Sequence, residues 1–412
     1  MWSRVLPRMK EGGTSMLYAG IDIAKRRHMA CITDALGNKI AGPFAFENTR
    51  QGFALFTKRM EEVCGEEEVV VGMEATGHYW MALFSHLQQA GICACLINPV
   101  KTDAWRRFLG SSKVKTDAID CAIIADAMRI GAFDPSMLAC EEIGELKALT
   151  RMRQDLSEST SALKCRIIAA LDRVFPEYAK LFSDAFSASS KAILKRCPTP
   201  RECSKVKASS LERILAKASR GKCGYEKAQK IKAAARESCG TAFADRAISF
   251  EIKSLVAQLE FIERQIDEAD LMIRELLDGI EPLVLTIPGI SYAIGAQIVA
   301  EIGDINRFDN SDALVSFAGL NPSKNESGEF SSTENRITKQ GSPYLRRALY
   351  LAAQAQLVQG NAFRAFYDRL RGRGKRHRVA LVAVAAKIAR VVFAVLSKQE
   401  PYREGAVGAA TS

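Results

Sequence analysis

The sequence is poor in histidine and has no Cys-x-x-Cys pair. It contains 4 histidines among 412 residues, and its 11 cysteines are scattered, with only Cys93 and Cys95 close together. Because zinc sites are built from clustered cysteine and histidine ligands, the sequence argues against a zinc protein. We expect the cysteines to be reduced and mostly buried, as in a cytosolic protein.

Long apolar runs are also missing. No run of about 18 apolar residues indicates a membrane-spanning helix, so we expect no membrane partner. Residues 1–15 lack the apolar core of a signal peptide and contain charges, a proline and Gly12-Gly13 instead. We expect them to form a flexible extension, with Met16 as an alternative start.

The sequence has size, apolar residues and positive charge. A chain of 412 residues is long enough for two or three domains, and a hydrophobic fraction of 48% argues against wholesale disorder. The net charge of +11 and the pI near 9.1 suit a polyanionic partner. Nucleic acid fits this description, although ordinary soluble proteins are sometimes as basic.

Residues 16–140 alternate strand and helix patterns. Strands are predicted at 17–23, 28–33, 39–46, 69–74 and 92–97, and helices at 50–63, 78–90, 101–109 and 116–130. A doubly wound nucleotide-binding domain would also alternate in this way, but no G-x-G-x-x-G or P-loop follows the first strand. Three strands in a meander, followed by alternating helix and strand, predict an RNase H-like α/β domain instead.

Four acidic residues lie at the ends of predicted strands or on one face of a predicted helix, and we call them the acidic set. Asp22 and Glu74 end two predicted strands, whereas Asp117 and Asp120 lie three apart on the last predicted helix, on one face. In an RNase H-like fold these strand ends converge, so the set predicts a site for Mg²⁺ or Mn²⁺, which prefer oxygen ligands. Such a site can drive phosphoryl transfer on nucleic acid. Each acid alone is better explained as a helix cap or a surface charge, and it is the order of two strand ends and a helix pair that favours the metal site.

Residues 141–280 read as helical. Apolar residues spaced alternately by four and three form a heptad seam: Ile248, Ile252, Leu255, Leu259, Ile262, Ile266, Ala269, Ile273 and Leu276. An amphipathic segment from Leu149 to Val174 precedes it, and a stretch at 186–245, rich in Lys, Ser, Ala and Cys, separates the two. The seam predicts coiled-coil arms, either between two subunits or as an antiparallel hairpin within one chain.

Residues 281–372 open with Ile287-Pro-Gly-Ile290, a turn between predicted helices that resembles a helix-hairpin-helix. A plain tight connection between two helices explains the turn at least as well. A polar loop at 323–333 follows, and 373–412 are predicted to form a basic C-terminal helix and tail. From Arg336 to Arg378 there are eleven Lys/Arg and one acid, interleaved with aromatics, which suits nucleic-acid binding. The alternative is a solvated basic helix face. The candidate contacts are Arg336, Lys339, Arg346, Arg347, Arg371, Arg373, Lys375 and Arg376.

Taken in order, the motifs resemble those of DEDD transposases of the insertion sequence 110 family, relatives of the Piv DNA invertase. The residues that carry the resemblance are Ala19-Gly-Ile-Asp22, Met73-Glu-Ala-Thr-Gly77, Lys115-Thr-Asp-Ala-Ile-Asp120, Ile287-Pro-Gly-Ile290, Ala300-Glu-Ile-Gly-Asp304, Ala318-Gly-Leu320, Ser327-Gly328 and Ile337-Thr-Lys-Gln-Gly341. No single motif is specific, but the ordered set is.

The resemblance implies a RuvC-like N-terminal domain, coiled-coil arms and a mainly helical C-terminal transposase domain. It implies that the acidic set binds magnesium and that a C-terminal serine joins covalently to DNA. By position Ser327 is the candidate, with Ser342 as its rival and Ser323, Ser331 and Ser332 as weaker ones. It further implies element-end and target DNA, a structured guide RNA, a homo-oligomer (dimer or tetramer) and a location in the bacterial cytoplasm, with action at the nucleoid.

Two other functions remain open. A RuvC-like nuclease or resolvase would hydrolyse DNA at the carboxylates without a serine step, and it would leave the C-terminal domain without a role. An inactive derivative would bind nucleic acid only, but the acidic set and Ser327-Gly328 are all present. The stretch 186–245 is longer than the resemblance predicts, and its role is left open.

Overall fold

The structure is a computed structural model. It describes residues 16–65, 67–74, 77–97, 99–109, 116–131, 141–280, 282–322, 326–327, 330–331, 337–358 and 360–404. The predicted extension at 1–15 and the tail at 405–412 therefore lie outside the described residues. Contacts divide the chain into two units, Met1–Leu138 and Ala139–Ser412, and each is described by itself.

Unit 1 is a mixed α/β unit whose elements follow the predicted order. Its strands are β1 (Leu17–Asp22), β2 (Arg27–Thr33), β3 (Lys39–Glu47), β4 (Val69–Glu74) and β5 (Cys93–Ile97). Its helices are α1 (Arg50–Cys64), α2 (Trp80–Gln89), α3 (Pro99–Phe108) and α4 (Asp117–Arg129). The α/β prediction is confirmed by these elements. It could be made from sequence because the alternation of apolar and polar residues is a local signal.

The five strands form one sheet in the order β3-β2-β1-β4-β5. β1 is antiparallel to β2 and parallel to β4, and β5 is parallel to β4. Side chains alternate between faces: Ile21 belongs to the core that contains Phe56 of α1 and Phe84 of α2, whereas Tyr18 belongs to the core that contains Met128 of α4. Both faces of β1 are thus covered.

Two glycines allow α4 to lie against the sheet. Gly20 of β1 is directly paired with Gly72 of β4. A Cβ at Gly20 would lie 2.1 Å from the Cys121 carbonyl oxygen, and one at Gly72 would lie 1.8 Å from the Met128 sulfur. The sheet is therefore bare of side chains where α4 crosses it, and the helix backbone touches the strands.

Unit 2 is almost entirely helical. Its helices are α5 (Glu141–Val174), α6 (Ala188–Arg196), α7 (Pro200–Lys205), α8 (Ala208–Ser219), α9 (Tyr225–Glu237), α10 (Asp245–Ile280), α11 (Tyr292–Ile302), α12 (Ser311–Phe317), α13 (Pro343–Gln356), α14 (Ala362–Gly372) and α15 (His377–Lys398). Two short strands, β6 (Glu326–Ser327) and β7 (Phe330–Ser331), form an antiparallel pair.

The heptad seam is used inside the chain. α10 packs along α5, and the ion pairs Arg153–Asp270 and Arg173–Glu251 show that the two helices run antiparallel. The seam residues Ile252 and Leu259 share a core with Leu171 of α5 and are fully buried there. Both helices were predicted, and of the two interpretations left open for the seam, the structure has the antiparallel hairpin within one chain.

The hairpin joins two cores, one at each end. At the end where α5 finishes and α10 begins, Ile167 and Leu255 pack with α6–α9. At the other end, Leu146 and Ile273 pack with α11–α15. At 1.5 Å per residue, these ends are separated by roughly 30 Å along the helices. The stretch 186–245 is thus a folded part of unit 2 that shares a core with α5 and α10.

The turn before α11 lies where it was predicted, but the segment that precedes it differs from the prediction. α11 starts one residue after its cap Ser291, whose hydroxyl accepts from the Ile294 N–H. The segment before the turn is a four-residue 3-10 helix, Leu283–Thr286, in place of the expected α-helix. The buried Gln356 side chain donates to the Pro288 carbonyl and fixes the turn.

α15 is long and apolar enough to cross a membrane by length and composition. Lys387 and Arg390 interrupt its apolar residues, so the sequence has no unbroken apolar run there. Leu381, Ile388 and Val392 are fully buried in the core of unit 2, and a core helix passes the same test. We therefore treat α15 as a core helix.

The close approach at Gly20 predicts a large effect of one methyl group. Gly20→Ala should lower the free energy of unfolding by about 3 kcal/mol or more, because the new Cβ meets backbone atoms of α4 that cannot rotate away. Denaturant unfolding of the full chain measures this. As a control, Gly144→Ala on α5, where a Cβ meets nothing within 4 Å, should be neutral or stabilising by about 0.5–1 kcal/mol. Equal effects of the two changes would contradict the close approach.

Candidate active site

Asp22 and Glu74 end neighbouring parallel strands. Each follows the paired residues Ile21 and Met73 by one position, and adjacent strands are about 4.8 Å apart. Residues two apart on a strand share a face, so Asp22 lies on the face of Gly20, and Glu74 on that of Gly72. That face is the one covered by α4. The sheet thus directs both carboxylates to the α4 side.

α4 brings the other two members of the set. Thr116 caps the helix, its hydroxyl accepting from the Ile119 N–H, and Asp117 and Asp120 fall in the first turn. Asp120 is buried and Asp117 is exposed. The Cys121 pKa is raised, first by its hydrogen bond with Cys31, then by burial, and in part by the negative charge of Asp22. The Asp22 charge therefore acts at the start of α4.

α3 contributes polar groups to two of the acids. Thr102 is 1% exposed, and its hydroxyl donates to Glu74 Oε2 at 2.8 Å. One turn later, Arg106 Nη2 donates to Asp120 Oδ1 at 2.9 Å. Both side chains of this ion pair are largely buried. Residues four apart share a helix face. One face of α3 therefore donates hydrogen bonds both to Glu74 at the end of β4 and to Asp120 on α4.

The acidic set is not drawn together into a metal centre. Among the residues that the structure describes, no three His, Cys, Asp or Glu side chains could hold one metal ion. Repulsion between carboxylates explains this arrangement, since Glu74 and Asp120 are held by Thr102 and Arg106. The donors are nevertheless hard oxygens of the kind that Mg²⁺ prefers, and they lie on elements that meet at one face. The set therefore fits a divalent metal in the chemistry of its donors, although the described side chains do not surround one ion.

Ser327 ends β6 and faces Phe330 of β7 across the pair. The chain that carries this pair leaves and returns at one place: Thr338 N–H donates to Asn321 O, and Lys339 N–H to Gly319 O. The rival Ser331 is in β7 opposite Glu326, while Ser323 and Ser332 lie outside the described residues. Ser327 thus lies between two chain segments, 319–321 and 338–339, that backbone hydrogen bonds join to each other. We call these two segments the loop base.

Ser342 has a structural role. Its hydroxyl accepts from the Leu345 N–H, capping α13, and donates to Glu301 Oε2 at 2.8 Å. Glu301 is 2% exposed and also binds the Arg151 guanidinium through both oxygens. Both Glu301 oxygens are thus already engaged by hydrogen bonds. Ser342 is therefore engaged as a cap, as the alternative interpretation of the serines expected.

The predicted nucleic-acid contacts divide into two groups. Arg346 Nη1 donates to the carbonyls of Ala318 and Lys339 and so clasps both sides of the loop base; burial lowers its pKa. Lys339 is exposed at that base, and Arg347 is half-buried on α13. The second group consists of four exposed basic residues at 371–376, a segment that we call the basic turn: Arg371, Arg373, Lys375 and Arg376. Arg336 lies outside the described residues.

Comparison with known proteins identifies the family of the chain. A DEDD transposase model of the IS110 type matches residues 19–176, and a model described as "Transposase IS116/IS110/IS902 family" matches residues 281–368. Together they cover more than half of the chain. The chain belongs to the IS110 family of transposases.

Individual relatives support the same assignment. An IS900 protein of Mycobacterium paratuberculosis is 30% identical to this transposase over 310 residues, which is 72% of the chain and 75% of the relative. An IS116 protein of Streptomyces clavuligerus is 26% identical over 92% of the chain and 94% of its own length. The pilin gene-inverting protein of Moraxella bovis is 23% identical over 94% of the chain and 98% of its own length.

The family fixes the general activity of this IS110-family transposase. It is an enzyme that recombines DNA, so DNA is a partner, and DEDD transposases in general require a divalent metal. The sequence missed three residues that the transposase structure brings forward: Thr102, Arg106 and Glu301. Thr102 and Arg106 read as part of an ordinary polar helix, and Glu301 was quoted only within a motif, so no local signal indicated their partners.

The pair of Arg106 and Asp120 predicts an asymmetric effect of two adjacent arginines in the transposase. Arg106→Gln should lower the free energy of unfolding by about 2–3 kcal/mol, because it leaves the buried Asp120 carboxylate without its charged donor. Arg107→Gln is the matched control, since Arg107 is 74% exposed and pairs with Asp103 at the surface; it should cost less than about 0.5 kcal/mol. Similar losses in thermal unfolding would contradict the assignment.

Proposed function

We propose that this transposase cuts and rejoins DNA through a divalent metal held by the acidic set and a serine nucleophile, Ser327. The observation that carries the proposal is the shared direction of Asp22 and Glu74 toward the first turn of α4, where Asp117 and Asp120 lie. The sheet order, with three antiparallel strands followed by two parallel ones, supports an RNase H-like, RuvC-like unit 1.

The four carboxylates would hold Mg²⁺ or Mn²⁺. A bound divalent ion would polarise a phosphoryl oxygen and lower the pKa of a coordinated hydroxyl. The chain's own groups prepare the site: Thr102 orients Glu74, and Arg106 neutralises Asp120 while no other cation is present. Binding an ion at Asp120 must compete with the Arg106 guanidinium, so Arg106 sets the charge against which the metal binds.

The serine step follows ordinary phosphoryl transfer. The Ser327 oxygen would attack a backbone phosphorus, so that an O–P bond forms as the bond from phosphorus to a deoxyribose oxygen breaks. The serine proton must pass to a base, and the leaving oxygen must gain one. A serine hydroxyl is a weak nucleophile on its own, so the proposal requires the acidic set, from this or another subunit, to act beside Ser327.

The proposal includes an element-encoded structured RNA that guides the enzyme by pairing with DNA, and a homo-oligomer. The exposed basic turn at 371–376 supports a polyanionic partner. Joining two duplexes needs more than one nucleophile, which supports a dimer or tetramer. Because the seam is used within the chain, subunits would meet elsewhere; Phe250, Phe261 and Leu271 are exposed on the outer side of α10.

The metal site is tested by thermal unfolding with and without Mg²⁺ or Mn²⁺. The wild-type chain should gain stability with metal, about 2.7 kcal/mol at a hundred times Kd, and Asp22→Asn and Asp120→Asn should lose both this gain and strand cleavage. Asp126→Asn is the control: Asp126 is also on α4 but binds Trp105 and Arg129, so its loss should lower stability and leave the metal response intact. An unchanged response in Asp120→Asn would remove the acidic set from the proposal.

The serine is tested by trapping the protein–DNA complex for mass spectrometry. Ser327→Ala should bind DNA normally and form no covalent adduct. Ser331→Ala should keep the adduct, and Ser342→Ala should keep it while losing about 1 kcal/mol of stability with its cap. A nucleotide remnant on Ser342 would make that residue the nucleophile. Full recombination without any adduct would favour a nuclease that uses only metal.

A further inference from the structure

Helices α6–α9, residues 188–237, form a module outside both matched family segments, which cover 19–176 and 281–368. We call it the insertion module. Ile193, Leu211 and Ile231 are fully buried in a core shared with α5 and α10. The module is therefore an ordered part of unit 2, and its surface presents fixed groups.

The module is strongly basic. Residues 188–237 contain fourteen Lys/Arg and four acids, an excess of ten, whereas the whole chain has a net charge of +11. The rest of the chain is therefore nearly balanced, even though it includes the basic turn. Positive charge of this density attracts polyanions over several ångströms of solvent.

Four of these lysines have internal partners. Lys191 and Lys195 pair with Glu263 and Glu260 of α10. Lys227 donates to the carbonyl of Leu181, and Lys232 donates to that of Val206 at 2.6 Å. These side chains fasten the module to the hairpin and join its helices to one another. Fastening thus accounts for only a minority of its positive charges.

Ten further cations are exposed and make no ion pair with any residue that the structure describes: Arg196, Arg201, Lys205, Lys207, Arg213, Lys217, Arg220, Lys222, Lys230 and Arg236. Arg213 and Lys217 lie one turn apart on α8, on the side opposite the buried Leu211 and Leu215. Arg220 follows at the C-cap. Together they form a line of three positive charges, the α8 face.

The α8 face is costly to the protein alone. Like charges four residues apart destabilise a helix by about 0.2–0.5 kcal/mol per pair. Lys217 and Arg220 suit the negative end of the helix dipole, but that does not explain Arg213 or the seven other free cations. A solvated face would ordinarily mix signs, and this one does not. A partner with regular negative charge would relieve the repulsion.

The chemistry of the face selects the partner. α8, which the structure describes in full, has no large hydrophobic side chain exposed, so it lacks the apolar centre of a protein-binding surface. Duplex DNA carries one charge per roughly 1.7 Å of its axis, and the line from Arg213 to Arg220 extends over roughly 10 Å. DNA is also the partner that the family already requires.

We propose that the α8 face of the insertion module binds the phosphate backbone of double-stranded DNA without regard to sequence. This site is additional to the acidic set, Ser327 and the basic turn, and it does not depend on the metal or the serine. It would hold flanking duplex roughly 30 Å along the hairpin from the core of α11–α15.

The test is the salt dependence of duplex binding by the full chain. Arg213→Gln, Lys217→Gln and Arg220→Gln combined should reduce the slope of log K against log salt, measured on a duplex of unrelated sequence, by about 2–3, since each phosphate contact contributes about 0.9. The control triple, Lys39→Gln, Lys58→Gln and Lys398→Gln, removes the same charge from exposed positions elsewhere and should leave the slope nearly unchanged. Thermal unfolding of the control triple should match the wild type, and the α8 triple should be as stable or slightly more stable, because it removes repulsion within the face.

A slope that is unaffected, or is reduced equally by both triples, would overturn the proposal. A structured RNA of equal length provides a second arm: loss of RNA binding with duplex DNA binding intact would also overturn it, since the surface would then serve RNA. Acetylation of lysines with and without the duplex gives a direct readout. The duplex should protect Lys217 and Lys222 from acetylation and should leave Lys58 reactive. If neither Lys217 nor Lys222 were protected, the proposed site would be contradicted.

Discussion

The contact between α4 and the paired glycines of β1 and β4 is the constraint on which the candidate active site depends. A side chain at Gly20 would hold the helix away from the sheet, and the acids at the strand ends would then face solvent instead of the first turn of α4. The absence of two side chains thus decides where four carboxylates lie. The same contact orders the packing of unit 1, because α4 covers the central strands.

The electrostatics of the site follow from this crowding. Carboxylates brought to one side of a sheet repel one another, and the protein offsets the repulsion with groups from a third element, α3. Thr102 and Arg106 take one acid each. The buried Asp120 carboxylate is stabilised by its pairing with Arg106. Under the proposed function, a metal ion at Asp120 would have to displace that guanidinium, so stability of the metal-free fold and metal binding would be opposed at Arg106.

The sequence predicted what depends on neighbours along the chain. Strand alternation, the Thr116 region of α4 and the heptads of α10 are local patterns, and the elements lie where they were expected. The partner of the seam could not be predicted, since one apolar stripe fits another helix of the same chain or of a second one. The hydrogen-bond partners of Arg106, Arg346 and Ser342 could not be predicted for another reason. These partners are 14, 28 and 41 residues away along the chain, and only the fold brings them together. The acidic set was found because its members end strands and begin a helix.

The α5–α10 hairpin also has a consequence for the order in which the chain folds. The apolar stripe of α5 is complete at Val174, but its partner begins only at Asp245. At 5–20 residues per second of synthesis, that stripe would wait about 4–14 s for its partner. Loop-closure entropy grows by only about 0.6 kcal/mol per doubling of length, so equilibrium stability hardly limits what is inserted between the helices. The time for which a nascent chain exposes the unpaired apolar stripe of α5 grows with the length of that insertion, and a module that collapses onto α5 early would shorten the exposure.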